Sequence, residues 1–133
     1  MSKQNTEIVR LAYEAHANRD VAAAISALAP NVEWHQAENF IYADRSPYVG
    51  PKAMLEGLFA RFDAEWENFK TVANELLDAG DKVVALGYYS GTYKKTGQTV
   101  HAQFAHVWTL RDGKVVKFEQ YTDTAQFARA VGA

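Results

Sequence analysis

Between Thr99 and Thr122 the chain alternates apolar and polar side chains with a period of two, broken once at Arg111-Asp112-Gly113. That period belongs to extended strands, so the segment predicts a strand over 99–110, a tight turn and a second strand over 114–122. The even positions Val100, Ala102, Phe104, His106, Trp108 and Leu110 share one face, and Val116, Phe118, Gln120 and Thr122 share one after the turn. Strands this long must twist and curl, which leaves a concave side for other elements to cover. His106 and Gln120 interrupt two otherwise apolar faces. A buried polar group is costly without a partner, so the pair requires either an internal hydrogen bond or a bound molecule.

The remaining chain supplies the cover. Ile8, Val9, Leu11, Ala12 and Ala15 fall at helical spacing and predict a helix over 6–18, with Thr6 as its cap. A short alanine-rich helix follows over 21–28, stopped by Pro30. Val32 to Gln36 reads as a short edge strand that sends Val32, Trp34 and Gln36 one way and Glu33 and His35 the other. Glu38 to Gly50 lacks periodicity and is expected to be a loop over the pocket. Pro51 opens a third helix whose stripe is Met54, Leu55, Leu58, Phe59 and Phe62, ending near Glu65. Two further strands, over 69–77 and 82–93, precede the two already described, with turns at Ala79-Gly80-Asp81 and Thr96-Gly97. Asp123 and Thr124 then cap a last helix running to Ala130. The fold class is α+β: a curved antiparallel four-strand meander plus a short edge strand, wrapped on three helices to form a conical pocket.

A chain of 133 residues is expected to form one domain, 1–133, with one pocket. A formal charge of −2, with Lys94 and Lys95 the only adjacent basic pair, leaves no electrostatic footprint for nucleic acid. No apolar run is long enough to span a bilayer and the start is polar, so no membrane association and a cytoplasmic location are expected. There is no cysteine, which excludes disulfides, thiolate metal sites and a cysteine nucleophile.

The element order and several runs resemble the nuclear transport factor 2-like superfamily, in the SnoaL-like branch that includes polyketide cyclases and relatives of ketosteroid isomerase. The runs are Asn18-Arg19-Asp20, Val32-Glu33-Trp34, Tyr48-Val49-Gly50-Pro51, Phe104 to Trp108, Leu110 to Lys114 and Tyr121-Thr122-Asp123-Thr124. The resemblance implies a conical pocket between sheet and helices, and a homodimer through the outer sheet face. It does not carry the isomerase chemistry over. The general-base position of that enzyme is occupied by Trp34, its helix-one tyrosine falls near Ala12 with Tyr13 one residue off, and its protonated aspartate corresponds to His106. Gln120 stands where limonene epoxide hydrolase places a water-activating aspartate. Fold membership alone settles no chemistry.

His106 is the leading candidate for catalysis, because an imidazole titrates near neutrality and can act as acid, base or hydrogen-bond donor. The competing explanation is a pocket-wall histidine bonded to Gln120 across neighbouring strands. Glu38 lies two beyond Gln36 on the alternation of Trp34; pointing inward, it would be desolvated and form a base and acid pair with His106. If the strand ends first, it is a solvated loop carboxylate. Trp34, Phe104, Trp108 and Phe118 are expected to shape the ligand site, with Gln36, Gln120 and His16 as its polar members. Tyr42, Tyr48, Tyr88 and Trp66 offer further donors, though aromatic residues at this density usually pack. Asp123 has the wrong parity for the pocket, and capping explains it.

No cofactor or metal site is expected. His101 and His106 differ by an odd number and fall on opposite strand faces, the serines lie in no nucleophile elbow, and there is no Gly-rich phosphate loop. The leading functional reading is cofactor-free acid-base catalysis, as an isomerase, cyclase or lyase acting by proton transfer, on a small, largely apolar carbonyl compound. The alternative is a binding or carrier domain using the same pocket. A third reading makes Gln103, Ala105, Val107 and Thr109 part of an interaction face.

Overall fold

A computed structural model describes residues 2–132. Its element order is α1 (Ser2–Ala17), α2 (Val21–Ser26), β1 (Leu28–His35), β2 (Tyr48–Val49), α3 (Pro51–Met54), a π turn (Leu55–Phe59), α4 (Ala60–Glu65), β3 (Trp66–Ala79), β4 (Lys82–Tyr93), β5 (Thr99–Arg111), β6 (Lys114–Thr122) and α5 (Thr124–Ala130). The strands form one sheet in the order β2-β1-β6-β5-β4-β3. From β3 to β6 it is the expected antiparallel meander.

The first half of the chain departs from the expectation in three places. Helix α1 begins at Ser2, so Thr6 lies within it instead of capping it. The second helix stops at Ser26, with Asp20 as its cap accepting from the Ala23 N–H at 3.1 Å. Leu28 to Pro30 therefore belong to β1, which is not an edge: it lies between β2 and β6 and runs parallel to β6. Alternation within a strand reveals its faces but not its neighbours, and the two-residue strand that covers β1 is too short to leave a periodic signal.

The meander shows the predicted faces, with Val100, Ala102, Phe104, His106, Trp108 and Leu110 all buried. On β6 one assignment shifts. A register break between Thr109 and Leu110 pairs Leu110 with Val115 and leaves Val116 unpaired, so Val115 points into the core in its place. Beyond the bulge Phe118 and Gln120 face inward as expected, opposite Trp108 and His106.

Two more register shifts on β3, at Glu67/Lys70 and Ala73/Glu75, bend this long strand around the helices. Gly87 on β4 marks the tightest approach. A Cβ there would stand 1.9 Å from the Val72 carbonyl oxygen and 2.8 Å from Phe104 Cζ. The bend thus requires a residue without a side chain. Helix α1 packs on β3 and β4, α5 packs on β5, and the core between sheet and helices is built of Val9, Val32, Met54, Leu58, Val83 and Phe127 among others. No described helix is long and apolar enough to cross a membrane.

Gly87→Ala is expected to destabilise the protein by about 3 kcal/mol, because the clash is with backbone that cannot rotate away. Urea unfolding reads this as a lower midpoint; an unchanged midpoint would mean that β3 yields at its bulge.

Candidate functional site

His106 stands at the centre of the inner face at 2% exposure, and both of its ring nitrogens are occupied. Tyr13 of α1 reaches Nδ1 at 2.5 Å and Tyr89 of β4 reaches Nε2 at 2.5 Å. The Phe104 ring lies parallel on the imidazole at 3.9 Å. The hydrogen bonds continue outward on both sides. Trp108 Nε1 donates to Tyr13 Oη at 2.9 Å, and Gln120 Nε2 donates to Tyr89 Oη at 2.9 Å. Gln120 Oε1 then accepts from Gln36 Nε2 at 3.2 Å and from the Ala37 N–H at 3.1 Å. One polar chain therefore runs Trp108, Tyr13, His106, Tyr89, Gln120, Gln36 through an aromatic interior.

Each member is delivered by ordinary strand and helix geometry. Ala85 faces His106 across β4 and β5, and Gln120 faces it across β5 and β6, so parity alone brings His106 and Gln120 to one side. Tyr89 is on the inner parity of β4 with Ala85 and Gly87. Tyr13 follows fully buried Val9 by four residues, one turn along the same stripe of α1. Although it stands one residue off the helix-one tyrosine position inferred from the isomerase, Tyr13 faces inward.

Burial decides the charge states. Desolvation holds the His106 pKa well below its ordinary value, with a smaller contribution from His16, so the ring is neutral at physiological pH. Desolvation also raises the Tyr13 and Tyr89 hydroxyls above their ordinary value, opposed by the hydrogen bonds from Trp108 and Gln120 respectively. The chain is a string of neutral dipoles.

The other sequence-derived residues divide around it. Trp34 stacks on Phe118 at 3.8 Å and meets Trp108 edge-on at 5.5 Å, so the expected lining side chains fill the cone between sheet and helices by packing on one another. His16 is exposed at the end of α1 with its ring 5.8 Å from Phe59, which in turn lies 6.0 Å from Trp34. The protein packed around His16 lowers its pKa, with Asp63 acting in the opposite direction. Glu38 is not brought to His106. Strand β1 ends at His35, Glu38 sits on an exposed turn, and the imidazole nitrogens are already taken by the two tyrosines. Tyr42 and Trp66 form a separate structural cluster in which Trp66 Nε1 donates to Tyr42 Oη at 3.1 Å and the Tyr42 hydroxyl donates to Glu65. Tyr48 is tied to the Tyr42 carbonyl at 2.6 Å. Asp123 accepts from the Gln126 N–H at 3.3 Å, as a cap should.

Tyr88 lies on the outer sheet face against His101, ring centroids 4.4 Å apart. That face carries an open groove of about 690 Å³ bordered by Glu75, Leu86, Tyr88, Gln103, Ala105 and Tyr121. The groove is on the opposite side of the sheet from the polar chain. Among the described residues no group of three or more His, Asp or Glu side chains is placed to hold a metal ion.

Tyr89 and Tyr13 are the two members that sequence reasoning missed. The available signals were the inner parity shared by Val83, Ala85, Gly87 and Tyr89, and the four-residue step from Val9 to Tyr13.

Two measurements check this arrangement. Because the folded pKa of His106 is lowered, the unfolded chain takes up the proton first. Its contribution is fully present above the unfolded value of about 6.5 and is lost as pH falls below it, with a slope approaching about 1.4 kcal/mol per pH unit. Urea unfolding from pH 8 downward should show this slope, and His106→Gln should flatten it; equal slopes would mean the imidazole is charged inside. Tyr89→Phe leaves Gln120 Nε2 and one imidazole nitrogen without their partner and should cost about 2 kcal/mol by the same assay.

Comparison with known proteins places the chain. The SnoaL-like domain family matches residues 9–118. No curated protein sequence matches it. Among solved structures, an NTF2-like protein from Burkholderia thailandensis is 37% identical, with 96% of this chain and 97% of that one covered and a TM-score of 0.92. An NTF2-like protein from Burkholderia pseudomallei is 27% identical over 98% of both chains, with a TM-score of 0.87. TerC, co-crystallized with polyporic acid, is 27% identical over 98% of this chain and 99% of that one, with a TM-score of 0.86. With the family match spanning most of its length, this chain belongs to the SnoaL-like domain family and has the NTF2-like fold.

Proposed function

We propose that this protein binds a small, largely apolar carbonyl compound in the cone between sheet and helices, with the ligand's polar atom held by the chain centred on His106. The observation that carries this reading is the chain itself: six polar side chains in series in an interior whose other walls are aromatic. A core of this size gains nothing in stability from them that apolar residues of the same volume would not supply. Neutral hydroxyl and imidazole groups in such surroundings are good donors to a carbonyl oxygen, and more so to the enolate oxygen that develops when an adjacent C–H is removed. The fitting reaction class is cofactor-free isomerisation or cyclisation by proton transfer. In it the tyrosine hydroxyl, of Tyr13 or Tyr89, whose hydrogen His106 does not accept polarises the carbonyl, and Glu38, one residue beyond Ala37 at the exposed end of the chain, is the candidate base. With the cone filled by packed rings, the ligand would enter where Phe59, which packs on Trp34 and carries His16 on its other side, moves away; Phe59 closes a π turn, a backbone irregularity that recurs at functional sites. TerC, a similar chain crystallised with polyporic acid, supports an organic ligand here.

The carrier reading uses the same site and is favoured by one observation, that among the described residues both His106 nitrogens are met by tyrosines and neither by a carboxylate. Solvent-deuterium exchange separates the two. Cyclohex-2-enone and acetophenone are incubated with the protein in deuterium oxide, and their carbon-bound hydrogens are followed by NMR alongside Trp34 and Trp108 fluorescence. Fluorescence change with exchange above the buffer rate, lost in Glu38→Gln, supports catalysis. Fluorescence change without exchange assigns a carrier, and no change with either ketone or with 3- or 4-hydroxyacetophenone removes the ligand site.

We further propose a homodimer through the outer sheet face, where Val72, Leu77, Tyr88 and Tyr121 are exposed and Tyr88 and Tyr121 border the groove. Tyr121→Glu should convert a dimer to a monomer in sedimentation velocity without changing the far-UV spectrum. A native protein that sediments as a monomer at high micromolar concentration overturns it.

A further inference from the structure

The directions of the hydrogen bonds outside the imidazole are set from the two ends of the buried chain. The Ala37 backbone N–H can only donate, so the Gln120 amide must turn Oε1 toward it, and that oxygen also receives Gln36 Nε2, which fills both of its lone pairs. Gln120 is thereby obliged to present Nε2 to Tyr89, and Gln36 is obliged to present its own Nε2 to Gln120. What remains is Gln36 Oε1, a fully buried acceptor with no partner among the described residues. At the other end the Trp108 indole N–H also can only donate, so Tyr13 Oη accepts. Between them a neutral imidazole has one N–H and one lone pair, so only one of the two tyrosine hydroxyls donates to it. The other tyrosine oxygen receives the imidazole N–H, and its own hydrogen has no acceptor within the chain. Besides the second hydrogen of each amide group, the network therefore carries one surplus tyrosine hydrogen beside His106 and one surplus lone pair on Gln36. Rotating either amide does not remove the imbalance, because it sets donor against donor at Ala37 or acceptor against acceptor at Gln120.

We propose that Gln36 determines specificity in this site: its Oε1 receives an O–H or N–H of the ligand while the surplus tyrosine hydrogen meets the ligand's carbonyl. The ligand class is then an apolar compound that carries both a carbonyl and a hydrogen-bond donor, such as a hydroxyketone, rather than a simple ketone. Gln36 suits the task, since it stands just past the end of β1 at 9% exposure and its backbone N–H is pinned by Ser46 Oγ at 2.9 Å. A simple ketone would bury Gln36 Oε1 without a donor, which is the stronger source of discrimination.

This inference rests on the ligand-binding reading above, and its test distinguishes the two. Calorimetric titration of the full chain compares acetophenone, 4-ethylphenol, 3-hydroxyacetophenone and 4-hydroxyacetophenone. At least one hydroxyacetophenone should bind about tenfold more tightly than acetophenone and than 4-ethylphenol. In Gln36→Leu the preference over acetophenone should shrink to within about twofold. Equal affinity of native protein for hydroxylated and unhydroxylated ketones overturns the role of Gln36, assigns its lone pair to water, and leaves ligand binding standing. Failure of all four to bind overturns both. The comparison of probes on native protein decides the matter even if Gln36→Leu does not fold.

Discussion

An imidazole buried in an aromatic interior must have both nitrogens satisfied, and the way this is done organises the whole inner face. Tyr13 comes from the first helix and Tyr89 from β4, while His106 itself is on β5 and Gln120 on β6. Three adjacent strands and the covering helix are thus held in one register by a single set of directional contacts. Apolar packing alone would allow α1 to slide or rotate on the sheet at small cost, because aromatic surfaces tolerate offset. Hydrogen bonds of fixed direction do not.

The same constraint explains why the aromatic side chains are arranged as they are. Phe104 covers one face of the imidazole, Trp108 turns its indole N–H to Tyr13, and Phe118 lies between Trp108 and Trp34. The parallel pairing of Trp34 with Phe118 places two rings side by side on neighbouring strands, where they stack at 3.8 Å. The apolar interior excludes water from the polar chain, and the polar chain fixes the positions of the rings. The site is a property of the core, to which the segment after β1 adds the Gln36 side chain and the Ala37 N–H.

Much of this was legible from alternation. The inner face of β5, the pairing side of Gln120, the third helix opened by Pro51 and the cap at Asp123 follow from local rules that the sequence states directly. What was not legible depends on contacts between distant elements. Val115 replaces Val116 because a bulge changes parity in mid-strand, and a bulge has no signature in the pattern before it occurs. Tyr13 lies outside the apolar stripe assigned to the first helix and Tyr89 belongs to no motif, and only their convergence on one imidazole from separate elements gives them a role. Glu38 was placed by extending a strand that in fact ends at His35, so its carboxylate falls on an exposed turn. The neutral state of His106 was also outside the reach of sequence, since it is set by the depth of burial that the assembled sheet creates.

The position of β1 has a bearing on how the chain comes to be ordered in time. Its long neighbour is β6, paired in parallel through contacts such as Trp34 with Phe118 and Glu33 with Lys117, so the first strand to be made borders the last. The meander from β3 to β6 can form from neighbours in sequence, whereas β1 must wait for the far end of the chain and close a loop that spans most of it. During synthesis on a ribosome, the N-terminal third would hold Trp34 and its apolar neighbours without their partner strand until the final segment emerges. Completion of the sheet and completion of the polar chain, which needs Gln36 on one side and Gln120 on the other, are therefore the same late event.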